Sequence, residues 1–231
     1  MTLALLCAGA AKGLVAALES AFADETGEGI DGTFGAVGAL REKLVAGEPC
    51  DVVVLTAPLI DTLEKDGRVV PGSAAPLGTV RTGIAVRAGE PLPDIHDAAA
   101  LRATLAGASQ LLFPDPQRAT AGIHFVDVLR RLGIHDDVAG RCATFPNGAT
   151  AMRALAEMRE HGAIGCTQVT EINYTPGVAL AGPLPPGFDL ATVYTAAVCA
   201  GARDRVVAQR FVQMLSGAKA RDVRARGGFE S

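Results

Sequence analysis

Short, almost wholly apolar runs alternate along this chain with longer segments whose apolar residues recur at helical spacing. Leu3-Ala4-Leu5-Leu6 reads as a buried strand, and Cys7 to Gly13 as a small-residue turn. Leu14, Leu18 and Phe22 then fall on one face of a helix. Ile30–Phe34 predicts a second strand, and Val37, Leu40 and Leu44 the helix after it. Asp51–Thr56 predicts a third strand, followed by a helix from about Pro58, where proline suits a first turn.

The run Thr79–Val86 predicts a strand that crosses into a second lobe. That lobe is expected to hold a helix near 97–105, a strand at Gln110–Phe113 and a helix carrying Phe125, Val128, Leu129 and Leu132. A helix around Thr150–Arg159 and a strand Ala163–Thr167 follow. The Pro-rich stretch Gly182–Gly187 reads as a return crossing, with a strand Thr192–Cys199 and a helix Val206–Leu215 closing the first lobe. The alternation predicts an α/β fold with mostly parallel strands. The expected division is residues 1–80 with 190–231 as one lobe and 81–189 as the other.

The bulk properties narrow the class. With 231 residues and 49% hydrophobic content, a sizeable core is possible. A net charge of −4 argues against a broad nucleic-acid surface. No apolar run reaches the ~18 residues of a membrane span. The five cysteines form no C-x-x-C pair and fit reduced, buried thiols. No signal-peptide pattern precedes Leu3, so the expectation is a cytoplasmic protein, or a periplasmic one if Met1 replaces a removed signal.

A strand that turns directly into a helix leaves backbone N–H groups unpaired at the helix start, and these favour an anion. Four such turns stand out: Gly9–Lys12, Gly35–Gly38, Arg118–His124 and Asn147–Thr150. Each is rich in Gly, Ala, Thr or Asn, so backbone can approach a ligand. The candidate donors are Gly9, Ala10, Lys12, Gly35, Ala36, Val37, Arg118, Thr120, Ala121, His124, Asn147 and Gly148, with Thr56, Thr167 and Gln168 at strand ends. Several have a plainer reading: Lys12 and Arg118 as solvated side chains, His124 as a structural histidine, Thr56 and Thr167 as caps. Arg81 reads as a ligand contact or a salt-bridge partner. Glu171 and Tyr174 read as a surface glutamate and a packed tyrosine, or as groups facing a ligand. The four histidines lack metal-ligand spacing, and His135-Asp136-Asp137 reads as a helix start. No metal or cofactor is expected.

Leu6-Cys-Ala-Gly-Ala-Ala-Lys-Gly13, Thr33–Leu40, Gly47–Val54, Asp115-Pro…Ala121-Gly-Ile123 and Gly227-Gly-Phe229 together resemble the molybdate-binding-protein-like family of bacterial solute-binding proteins. The resemblance implies a type II periplasmic-binding-protein fold of two α/β lobes, each a mostly parallel sheet flanked by helices. It also implies a small anion held in the cleft between them and, if exported, a transporter permease as partner. Molybdate binders of the family place serines in the first two turns and a tyrosine in the later lobe. Here the matching positions are Ala10, Ala36 and Gln168. Each hydrogen bond lost to a charged group costs ~1.5–3 kcal/mol, which moves the expected ligand from molybdate toward a polycarboxylate of the citrate or aconitate kind. Divergent relatives include binders of citrate-like acids and an aconitate isomerase. The alternative is therefore an isomerase with Lys12 or His124 as proton carrier, and a molybdate-binding transport component is a further one.

Overall fold

The computed structural model describes residues 2–230. By contact density the chain divides into two units, one running up to Val80 and resuming at Thr192, the other spanning Arg81–Ala191. The chain thus changes unit inside one long strand and returns at the start of another.

In the first unit, β1 (Thr2–Ala8) passes through a 3-10 turn (Gly9–Ala11) into α1 (Lys12–Thr26). Then come β2 (Gly29–Gly35), α2 (Val37–Val45), β3 (Val52–Thr56), α3 (Ala57–Lys65) and the opening of β4 (Ala75–Arg87). β1 lies between β2 and β3, parallel to both, with Cys7 opposite Phe34 and Ala8 opposite Gly35. Every residue of β3 is buried, as its unbroken apolar run requires of a central strand. α1 turns Leu14, Val15 and Phe22 inward and stops at Gly27, whose φ of 73° is a left-handed C-cap that glycine adopts without strain.

The second unit continues with α4 (Ala98–Gly107), β5 (Leu111–Pro114), α5 (Thr120–Arg131), α6 (His135–Val138), β6 (Cys142–Phe145), α7 (Gly148–Glu157), β7 (Ile164–Gln168), α8 (Val169–Tyr174) and β8 (Val178–Pro183). Here β5 is parallel to both β6 and β7, whereas β4 runs antiparallel to β7 and β8. Phe125, Val128 and Leu129, at i, i+3 and i+4 of α5, are wholly buried against the sheet. Phe113 and Phe125 meet edge-on at 5.1 Å.

The first unit closes with β9 (Ala191–Val198), α9 (Arg205–Ser216) and α10 (Arg221–Gly227). β9 is antiparallel to β3, and Phe211 of α9 packs on Phe22 of α1 at 4.8 Å. Asp51, at the mouth of β3, ties this unit together. Its carboxylate accepts from the Ala4 amide, the Arg203 amide (both 2.8 Å) and Arg203 Nη2 (2.7 Å). Burial pushes this carboxyl up, but the Arg203 and Ala4 bonds outweigh it and hold Asp51 below its ordinary range.

The fold is the α/β architecture expected, parallel at the centre of each unit. The sequence pattern missed β6, α8, β8 and α10. β6 is four residues of mostly half-buried side chains, too short and too mixed for a clear period. Gly182 and Pro183, read as part of a crossing, end β8 instead. His135 does open a short helix.

Candidate functional site

In the first unit the parallel register of Ala8 with Gly35 sets the turns after β1 and β2 side by side at one end of the sheet. Gly9 and Ala10 form the first turn, and Gly35 and Ala36 the second. Ala11 and Ala36 occupy the N-cap positions of α1 and α2, and neither helix has a side-chain cap hydrogen bond. Val37, first residue of α2, is buried and leaves only its amide for polar work. Lys12 opens α1, with Nζ 5.5 Å from the centroid of the Phe34 ring on β2. Thr56 ends β3 and precedes α3, and its hydroxyl does not cap that helix.

In the second unit α5 also starts without a side-chain cap bond, behind Ala119. Thr120 is its first residue, half-buried, and Ala121 its second, buried. Arg118 lies on the exposed turn before it, which Asp115 organises by accepting from the Gln117 and Arg118 amides. His124, one turn into α5, is half-buried, and its Nε2 lies 2.7 Å from the Phe188 carbonyl. A carbonyl only accepts, so Nε2 carries the hydrogen. Arg131 binds the Gly187 carbonyl, and Arg81 pairs with Asp189 at 3.1 Å. Arg81 therefore anchors the segment that also holds His124.

The turn into α7 is different. Asn147 caps the helix, its side-chain oxygen accepting from the Thr150 amide (2.9 Å) and hydroxyl (3.0 Å). Glu171, read from the sequence as a surface glutamate or a group facing a ligand, is buried and lies at the same helix start. Its carboxylate accepts from the Thr167 hydroxyl at 2.5 Å and from the amides of Ala149, Gln168 and Gly148. Burial lifts the Glu171 carboxyl above the ordinary glutamate range, against the opposing pull of those donors. A Cβ on Gly148 would come within 1.9 Å of Thr167 Oγ1 and 2.0 Å of Glu171 Oε2. The absence of a side chain there makes room for the carboxylate. Asn147, Gly148 and Thr167, expected to face a ligand, thus already hold partners within the chain. Tyr174, read as a packed tyrosine or a group facing a ligand, is exposed and so is not packed.

Gln168 ends β7 and is buried to 2%. Its backbone amide serves Glu171, but its side-chain oxygen and nitrogen have no hydrogen-bond partner among the described residues. The hydroxyls of Thr82 and Thr170, also buried, are unpartnered in the same way. As a threonine in an apolar strand, Thr82 carries no functional signal in the sequence. Only the β4–β7 register sets it opposite Gln168.

Among the described residues, no group of three or more His, Cys, Asp and Glu could hold a metal ion. No helix among them is long and apolar enough to cross a membrane. The five cysteines are free thiols, four of them buried.

Residues 3–230 match the family model described as bacterial extracellular solute-binding protein. An aconitate isomerase from a Pseudomonas species is 26% identical over 224 residues, covering 93% of this chain and 82% of that protein. The periplasmic molybdate-binding protein of Azotobacter vinelandii superposes with a TM-score of 0.81 at 20% identity, over 99% of both chains. The sulfate-binding protein SubI of Mycobacterium tuberculosis gives 0.74, also at 20% identity, over 99% of this chain and 86% of that one. At these identities the structural likenesses establish the fold.

Proposed function

The chain belongs to the bacterial extracellular solute-binding protein family, and on that premise we propose that it binds a small polycarboxylate of the citrate or aconitate kind. The observation that carries this reading is that three strand-to-helix turns of small residues lead into helices without a side-chain cap bond, a lack that α3, α6, α8 and α10 share without such a turn. At α1, α2 and α5 the side chain of the cap residue occupies none of the first amides, and ahead of α1 the turn amides of Gly9–Ala11 precede the Lys12 amide, which is bonded to Gly9. Such amides, with the positive end of the helix dipole, favour an anion. Ala10 and Ala36 bring no hydroxyl to the first two turns, so a compact tetrahedral oxyanion would lose donors it needs. Lys12 and Arg118 bring cations suited to carboxylates. In this role the protein hands its ligand to a membrane permease.

The test is a thermal-shift screen of molybdate, tungstate, sulfate, citrate and both aconitate isomers. A ligand at about 100 times its Kd stabilises by about 2.7 kcal/mol, several degrees for a chain of this size. Citrate or aconitate is expected to give that shift, whereas stabilisation by molybdate alone contradicts the reading.

The relative that is an aconitate isomerase supports a second reading, allylic proton transfer on the bound acid. Lys12 and His124 are then the candidate proton carriers. With Nε2 of His124 donating to Phe188, the ring nitrogen left for this work is Nδ1. An NMR time course of each aconitate isomer with the protein decides it: interconversion supports turnover, and binding without conversion contradicts it. Full turnover by both His124→Ala and Lys12→Ala would remove those two residues from the chemistry.

A further inference from the structure

Thr82 on β4 and Gln168 on β7 are directly paired across an antiparallel ladder. The Thr82 amide donates to the Leu190 carbonyl and its own carbonyl accepts from the Leu184 amide, so its backbone bonds point away from β7. That makes Thr82–Gln168 a non-hydrogen-bonded pair, the kind whose side chains approach most closely and share one face of the sheet. Both residues are almost fully buried, yet neither side chain bonds the other or anything else among the described residues. Thr170, two residues beyond Gln168, is in the same condition. Buried polar groups are nearly always paired, and an exception calls for a molecule that completes it.

The chemistry of the pair restricts that molecule. Gln168 offers a donor at Nε2 and an acceptor at Oε1, and Thr82 Oγ1 can do either. A fully deprotonated oxyanion only accepts, so it would leave Gln168 Oε1 unpaired. A hydroxyl both donates and accepts. We infer that Gln168 and Thr82 receive a hydroxyl group of the bound acid, which makes the ligand a hydroxycarboxylic acid. This rests on the polycarboxylate reading and adds to it the feature by which one acid is chosen over another.

The experiment compares citrate with tricarballylate, which keeps the three carboxylates and lacks the hydroxyl, alongside molybdate and sulfate, by titration calorimetry on the full chain. The wild-type protein is expected to bind citrate at least about tenfold more tightly than tricarballylate, the worth of one or two hydrogen bonds to a buried partner. In Gln168→Met that ratio is expected to fall to within about threefold, with Thr82→Val between the two. Equal wild-type affinities for the two acids would overturn the inference without any variant, so a misfolded variant leaves it testable. A ratio that survives Gln168→Met would overturn it too, as expected if the pair merely encloses a water. Binding of molybdate or sulfate alone overturns the inference and the polycarboxylate reading together, while leaving an anion site. Binding of none of the four overturns the anion reading itself.

Discussion

The turns opening α1 and α2 in the first unit and the turn opening α7 in the second share one design, a small-residue bend between a parallel strand and a helix. They differ in what occupies the helix amides. At α1 and α2 no side-chain cap bond is made. At α7, Asn147 caps the helix and the buried Glu171 carboxylate takes the amides of Gly148 and Ala149. An anion site and a structural cap draw on the same donors, so a strand-to-helix turn alone does not say which one it is. What separates them is whether a carboxylate of the chain itself reaches the helix start.

Glycine-to-alanine changes should break the comparison most sharply. Gly148→Ala drives a methyl into Thr167 and Glu171 and is expected to cost about 3 kcal/mol or to prevent folding. At Gly35, before α2, a Cβ would meet only Leu40, at 3.8 Å, so Gly35→Ala should cost less than about 1 kcal/mol. Urea melts of both variants check this, and equal costs would show that α7 is no more occupied than α2.

Next in size is Asp51→Ala in the first unit. It leaves the Ala4 amide without its carboxylate partner and is expected to cost about 1–3 kcal/mol, read as the shift in urea midpoint.

The two buried carboxylates should then respond to pH with opposite sign. Asp51 is held below its ordinary value, so its contribution is present above the unfolded pKa and lost as pH falls through the folded one, below about pH 4. Glu171 is raised, so its contribution is present at low pH and lost as pH rises through the folded value, from about 4.5 upward. Relative to wild type, Glu171→Gln should therefore gain stability between pH 4 and pH 7, whereas Asp51→Asn should lose it over the range where Asp51 ionises. A flat difference for Glu171→Gln across that interval would contradict the burial of an ionising group.

The smallest effect concerns the thiols. Burial raises the pKa of Cys7 and Cys166, the hydrogen bond with Cys50 and then burial raise that of Cys199, and Cys142 is the half-buried one. At pH 8 a thiol reagent should label Cys142 first and the others only after denaturation. Prompt labelling of Cys7 or Cys199 would mean that the first unit opens more readily than its packing indicates.

Much of this was legible in the sequence, for physical reasons that differ by element. β3 and the inner face of α5 declare themselves because their periods are clean and their burial complete. The first two turns are legible because small residues fall where a strand must become a helix. Glu171 was not. Its role depends on a Gly148 that lies 23 residues away in sequence and on a bend that returns α8 to the start of α7. Thr82 was equally hidden, since only strand register places it beside Gln168. Pairings across the sheet decide which polar groups are spent and which remain for a ligand.

The central claim is that the anion is held by amides of the turns leading into α1 and α2, where no side-chain cap bond is made, while Glu171 fills the start of α7. Amide NMR during titration with citrate tests it most directly. The account predicts shifts at the amides of residues 9–11, since the Lys12 amide is already taken by the Gly9 carbonyl, and of residues 36–38, with those of Gly148 and Ala149 unmoved. Shifts confined to Gly148 and Ala149, as the ligand displaces Glu171, would contradict it.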